Sequence, residues 1–243
     1  MRRNPYETRR FLEEYMLFHY GKPSDLCPFN FIPRDFLRFH ERLRKECLRP
    51  VGKHPAIRAL DIGCSVGRFS FELACVAHEV LGIDNSIQFI EAARAIARKK
   101  SVRLSVRESG DTFRKCNVTL PKPLGAGSVH FKVGSALNLL PFCTSPFQIV
   151  AAVNLLCRIP FPRKFLQELS SIVAPGGQLI LASPYSWLEE YTPRKEWLTP
   201  KQAEQILRPH FRPAKRCEIP FLIREHGRKY QLVVSEVRTF VRR

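Results

Sequence analysis

Apolar residues recur at helix-like spacing from Tyr6 to Tyr20, where Phe11, Leu12, Tyr15, Met16 and Phe18 alternate with Glu13 and Glu14, and the run stops at Gly21. Lys22 to Pro33 holds three prolines and is expected to be a loop, after which Asp35 to Leu48 returns to a helical, heavily charged pattern. A short apolar run from Ile57 to Ile62 closes on Asp and Gly. A helical pattern follows from Arg68 to Val76, then a second apolar run from Glu79 to Ile83 and a helix from Gln88 to Lys99. Strand, helix, strand, helix is the order this predicts.

The pattern weakens from Ser101 to Ser128, which is expected to be an extended connection able to carry a hairpin, closed by Pro121, Pro123, Gly125 and Gly127. Val129–Val133 and Gln148–Val153 supply two more strands. Arg163–Val173 is a helix, and Gly176 and Gly177 turn the chain into a fifth strand, Gln178–Ala182. Lys201–Leu207 predicts a short helix, and Ile219–Ile223 and Gln231–Val237 a hairpin through Glu225–Lys229. The fold class expected is α/β: a Rossmann-like, doubly wound sheet of five parallel strands with an antiparallel edge pair. Residues 1–50 would form a helical N-terminal extension or lid, and residues 51–243 the main domain. No internal repeat or low-complexity segment is evident.

Composition adds one question. With 40 Lys and Arg against 22 Asp and Glu in 243 residues, the formal charge is +18, which favours polyanions such as nucleic acid. The basic residues are scattered, however, as in Arg2, Arg3, Arg9 and Arg10, then Arg98 to Lys100, then Arg212 to Arg216, and no block resembles a basic tail. Charge of this kind equally serves solubility, so a nucleic-acid partner is not the first expectation. The eight cysteines form no CxxC pair and no metal-ligand spacing, so reduced thiols and no metal are expected. The N-terminus lacks an apolar signal core, and no run of about 18 apolar residues is present to span a membrane. A cytoplasmic location follows as an expectation, a nuclear one staying open.

The candidate chemistry begins at ALDIGCSVGRFS, where a strand, a turn with Gly63 and Gly67, and a helix follow directly. A nicotinamide fingerprint would require GxGxxG opening onto a pyrophosphate, which is absent. Asp61 before the first glycine instead suits a cationic, amino-acid-bearing cofactor without phosphate. The second strand ends at Asp84, about 17 residues after Gly67, close to the spacing of an acid that accepts from ribose hydroxyls. Ser135 and Ala136 follow the third strand, where they could meet an adenine, and Asn154 and Leu155 follow the fourth, beside a methionine moiety. The plainer alternatives are a tight strand-to-helix turn at Gly63 and Gly67, Asp84 as a helix N-cap, and Ser135 capping local backbone.

Asp61, Gly63, Ser65, Gly67 and Asp84 together resemble the class I S-adenosylmethionine (AdoMet) methyltransferase superfamily, whose loop commonly reads as an acidic residue followed by GxGxG. Ser65 replaces its middle glycine, and Ser135 stands where an acid is more usual. Longer strings narrow the resemblance: NPYETRRFLEEYMLFHYG, LDIGCSVGRFSFEL, VLGIDNS, NLLCRIPFP, SPYSWLEEYTP and PFLIREHGRKYQ occur in that order. They are similar to the C-terminal methyltransferase domain of ovothiol synthase, over about Asn4 to Val237, with Arg103 to Ser128 matching poorly.

That resemblance implies methylation of an imidazole nitrogen of 5-thiohistidine (4-mercaptohistidine), giving an ovothiol-type product. Ovothiol synthase also carries an oxygen-dependent sulfoxide synthase region, for which 243 residues leave no room, so the thiohistidine would come from a separate enzyme or from outside. For such a substrate Arg158 and Arg224 could pair with carboxylate or thiolate, and Glu189 or Glu190 with ammonium. Tyr185, Trp187 and Tyr191 could enclose the ring, and His226 is the candidate base. The plainer alternatives are a water-facing hairpin tip for His226, lid packing for Trp187 and Tyr191, and a solvated pair for the glutamates. Tyr6, Glu7, Tyr15, His19 and Tyr20 could belong to a helix closing over the ligands, or to one simply packed on the core. Two other functions stay open: a protein-histidine or RNA methyltransferase, and an inactive AdoMet-binding descendant with a protein partner.

Overall fold

The computed structural model describes residues 5–50, 56–121 and 126–243. The expected division after residue 50 and the closure at Pro123 and Gly125 fall at or within segments outside the described residues.

A 3-10 turn at Pro5–Glu7 leads into α1 (Arg9–Tyr20). Thr8 separates them because its hydroxyl accepts the Phe11 amide and caps the helix, so the single helix expected from Tyr6 begins at Arg9 instead. Arg9–Glu13 and Arg10–Glu14 pairs run along its outer face. The proline-rich stretch holds a short α2 (Pro23–Leu26). The charged segment expected as one helix over Asp35–Leu48 is three pieces: a 3-10 turn at Arg34–Leu37, α3 (Phe39–Arg42) and a π-helical turn at Leu43–Cys47. The breaks let Phe39, His40, Leu43 and Cys47 all face inward.

The core alternates as expected: β1 (Arg58–Ile62), α4 (Arg68–Leu73), β2 (Glu79–Asp84) and α5 (Ile87–Lys99). Ser86 caps α5 by accepting the Phe89 amide, and Lys100 ends it in left-handed conformation. The weak stretch resolves into the antiparallel hairpin β3 (Ser101–Ser109) and β4 (Thr112–Thr119), a small separate sheet. Then come β5 (Ser128–Val133), β6 (Phe147–Val153), α6 (Pro162–Ile172), β7 (Val173–Ser183), α7 (Pro200–Leu207), β8 (Phe211–His226) and β9 (Lys229–Arg242). Proline at the first position of α6 and a Thr199–Gln202 capping box on α7 fix where those helices start.

The main sheet has the order β5-β2-β1-β6-β7-β9-β8. The first five strands are parallel, and β9 and β8 add antiparallel, which is the expected architecture. Alternation along each strand separates two faces. Leu60, Ile62, Val150, Ala152, Leu179 and Leu181 pack under α6 and α7. Ala59, Val80, Ile149, Ala151, Ile180 and Ala182 face α4 and the N-terminal Phe18, Phe39 and Leu43. Full burial of each such side chain stabilises the fold by about 1.5–3 kcal/mol, so the N-terminal region is packed as part of the core. A third cluster joins α1, α5 and the β3–β4 hairpin through Met16, Phe89, Ile90, Leu104 and Val118. No helix among the described residues is long and apolar enough to cross a membrane.

Candidate active site

The chain reverses strand order between β1 and β6, and there the carboxyl ends of the parallel strands open into a cavity of about 1080 Å³. Asp61, Gly63, Cys64, Ser65, Asp84, Ser135, Ala136, Asn154 and Leu155 line one end of it. The Gly63 and Cys64 amides both donate to the Ile83 carbonyl, at 2.8 and 2.9 Å, pulling the loop after β1 onto β2. Gly67 has φ +90°, and a Cβ there would stand 2.6 Å from the Phe131 ring, so only glycine fits. Ser65, where the middle glycine of the resembled pattern is absent, nevertheless adopts φ 52°, the backbone a glycine would favour. Its hydroxyl is buried and has no hydrogen-bond partner among the described residues.

Asp61 is buried on the α4 face of β1, where its Oδ2 accepts from the Ser70 hydroxyl at 2.7 Å. Burial pushes its carboxyl up to about 7, opposed by the Ser70 bond and reinforced by nearby Asp84. Asp84 holds the loop: Oδ2 accepts the Ser65 amide and Oδ1 the Ser86 amide, each at 2.9 Å. The helix cap is Ser86, not Asp84. Ser135 Oγ accepts the Leu137 amide at 3.2 Å, the local capping foreseen as its plainer alternative. Asn154 sits at φ 55°, and its side-chain oxygen accepts from Ser235 at 2.6 Å. A buried carboxylate without a cationic partner among the described residues, an orphaned hydroxyl and a close-approach glycine loop fit a cationic nucleoside-bearing cofactor.

The other end of the cavity is aromatic. Tyr6, Phe11, Tyr15, Phe18, Phe39, Tyr191 and Phe221 line it, with His19, His40, Arg158, Glu190 and Gln231. The Tyr6 ring meets those of Tyr15 and Tyr191 at centroid distances of 5.9 and 6.1 Å, bringing the N-terminal turn against the loop after β7. Arg158 donates to the Ser186 carbonyl at 2.6 Å and lies over the Tyr191 ring. Tyr20 donates to the Val66 carbonyl at 2.7 Å, and Glu7 accepts the Ile87 amide at 2.9 Å, so both ends of this N-terminal unit are anchored at the loop side of the cavity.

Five expected substrate residues stand elsewhere. Phe221 and Ile223 of β8 face the cavity, so strand alternation turns Arg224 away. It is buried, donating to Glu108 at 2.6 Å and to the Asp25 carbonyl at 2.7 Å. His226 ends β8 at the hairpin turn, where its Nδ1 accepts the Arg228 amide at 3.2 Å. Glu189 is exposed and pairs with Arg194, whereas its neighbour Glu190 lines the cavity. Tyr185 packs on the core beside Trp187, with Glu236 and Arg238 acting on its hydroxyl. Trp187 is likewise committed, donating to the Leu198 carbonyl at 3.1 Å. His40 was not foreseen. The one signal was its place beside Phe39 in a segment otherwise too charged to suggest burial.

The chain belongs to the methyltransferase-domain family, whose model matches residues 60–181, half of its length, and its sheet order is that of the Rossmann-like class I methyltransferase fold. Among curated proteins it is similar to the O-methyltransferase cnsE of Penicillium expansum, 27% identical over 124 residues, which cover 51% of this chain and 36% of that one. The chain spans between about a fifth and just over half the length of the curated relatives it matches. Among solved structures, magnesium protoporphyrin IX methyltransferase from Synechocystis PCC 6803 with bound SAH superposes with a TM-score of 0.61 at 18% identity, covering 98% of this chain and 96% of that one. The N-methyltransferase NodS from Bradyrhizobium japonicum WM9, in complex with S-adenosyl-L-homocysteine, gives 0.56 at 15% identity, covering 97% and 98%. These likenesses concern the fold.

Proposed function

We propose that this protein methylates an imidazole nitrogen of 5-thiohistidine with AdoMet, giving an ovothiol-type product. The observation that carries the reading is the two-ended cavity, a polar loop end joined to an aromatic chamber roofed by α1 and sized for a small amino acid beside a cofactor. Support for the particular acceptor comes from the sequence strings shared with the methyltransferase domain of ovothiol synthase.

In this reading Asp61 faces the cofactor's cationic amino-acid part, Asp84 its ribose, Ser135 and Ala136 its adenine, and Gly63, Ser65, Gly67 and Asn154 shape the cradle. AdoMet, when bound, supplies an electrophilic methyl group. The chain's own work is to aim a ring nitrogen and exclude water. Arg158 is oriented by Ser186 to receive the acceptor's carboxylate or thiolate. Glu190, which lines the cavity with Tyr191, is placed for the ammonium. Residues 1–50 serve as the lid, with residues 51–243 as the catalytic domain.

A protein-histidine or RNA acceptor is the second reading, and the +18 charge is its support. Against it, Arg158 is the single Lys or Arg among the described residues lining the cavity, while an RNA acceptor needs several phosphate contacts. Incubation with AdoMet and 5-thiohistidine, followed by mass analysis of the imidazole, tests the proposal. Retention of RNA at physiological salt with no turnover of the amino acid would favour the second reading.

A further inference from the structure

Two imidazoles meet inside the aromatic chamber. His19 from α1 and His40 from α3 both line the cavity, with ring centroids 4.2 Å apart. His19 Nδ1 accepts the backbone amide of Arg68 at 3.4 Å, so in the neutral ring the proton sits on Nε2. Phe18 and Phe39 enclose the His40 ring at 5.0 and 5.3 Å. Among the described residues no hydrogen bond ties the His40 nitrogens, and neither is sealed from the cavity as an orphaned buried atom would be.

We propose that His40 is the proton acceptor of the methyl-transfer reaction, with His19 as its positioning partner. The proposal rests on reading the aromatic end of the cavity as the acceptor chamber. An azole or phenol that takes a methyl group must also lose a proton. The acceptor's lone pair forms the new bond to the methyl carbon, and the methyl–sulfur bond breaks with its electron pair retained by sulfur. The acceptor's N–H or O–H proton passes to the free nitrogen of His40. Because the methylated azole ring is already a cation, this transfer moves a charge between neighbouring rings and creates none.

The environment keeps the pair ready. Burial and the Arg68 guanidinium push His19 down to about 3, and burial, His19 and Arg68 push His40 well below the ordinary histidine range. Both rings are therefore neutral at working pH, which leaves His40 free to accept a proton but as a weaker base than free imidazole. The transfer is driven by the acidity of the methylated acceptor in the same desolvated chamber. The charged and titratable groups acting on His40 are His19 on α1 and Arg68 at the start of α4. The apolar walls from Phe18 and Phe39 carry no competing base.

The test compares wild type, His40→Gln and His40→Ala for kcat, for AdoMet affinity and for rescue by added imidazole. General-base loss predicts that kcat falls roughly 10²–10³-fold in both variants while AdoMet affinity stays within about threefold, and that imidazole restores His40→Ala by about tenfold or more. A His40→Gln enzyme that keeps kcat within about threefold of wild type, or a folded, AdoMet-binding His40→Ala enzyme that imidazole does not rescue, overturns it. If wild type does not turn over 5-thiohistidine, the substrate reading fails, and the comparison moves to phenol and catechol acceptors. Equal rates for wild type and His40→Gln there, or no turnover on either class, also overturn the role of His40.

Discussion

The Asp84 carboxylate at the end of β2 accepts the backbone amide of Ser65 at 2.9 Å, so the loop after β1 is held in shape by the neighbouring strand. This bond supports a left-handed serine whose own hydroxyl is unpartnered. Asp84→Ala removes both the brace and the carboxylate proposed to face the ribose. AdoMet affinity should weaken by about tenfold to a hundredfold, or about 1.4–2.7 kcal/mol, by calorimetry. Unchanged affinity would place the ribose contact elsewhere.

Asp61 makes stability depend on pH. Its folded carboxyl, near 7, lies above its ordinary value of 3.8 because burial disfavours the charge. The stabilisation it gives is therefore fully present below about pH 4 and is lost as pH rises through about 7. Asp61→Asn keeps an acceptor for Ser70 and never ionises. Without cofactor, its Tm relative to wild type should rise by several degrees between about pH 5 and pH 8. A difference that stays flat with pH contradicts this, and the same variant should bind AdoMet more weakly because the cation loses its counter-charge.

Arg158 and Arg224 should separate cleanly. Arg158→Gln leaves the fold intact and raises the acceptor's KM by roughly tenfold or more, the loss expected of one charged contact. Arg224 has a side chain 3% exposed, whereas its partner Glu108 is 32% exposed and keeps Arg114. Arg224→Ala therefore removes buried packing and leaves the Asp25 carbonyl without its donor, and should cost about 1–3 kcal/mol of stability. Its folded fraction should retain wild-type KM. A raised KM with unchanged Tm for the Arg224 variant would return that residue to the substrate.

The remaining candidates divide by position. His226→Gln and Glu189→Gln act at surface sites, so turnover should stay within about twofold and Tm within the small range of surface substitutions. Glu190→Gln should raise KM for an amino-acid acceptor while leaving AdoMet affinity unchanged. Steady-state kinetics on the three variants decides this.

Strand ends and glycines carried most of the legible information. The run ALDIG, the left-handed demand at Gly67 and the acid closing β2 placed the loop end of the cavity, because close backbone approach admits few residue types. The substrate end was harder. Arg224 was in principle readable, since Phe221 and Ile223 facing inward force the next residue outward. Choosing between Glu189 and Glu190 was not, because the loop after β7 has no regular period. β8 and β9 run well beyond the apolar stretches that signalled them, their outer halves carrying charges into water. His40 was hidden because three short helical pieces replace the single regular helix that its charged segment suggests.

The most direct test of the central claim is the mass of 5-thiohistidine after incubation with purified protein and AdoMet. The account predicts a gain of one methylene mass located on an imidazole nitrogen, with one S-adenosylhomocysteine released per methyl transferred. Full occupancy by AdoMet with no modification of the ring would contradict it.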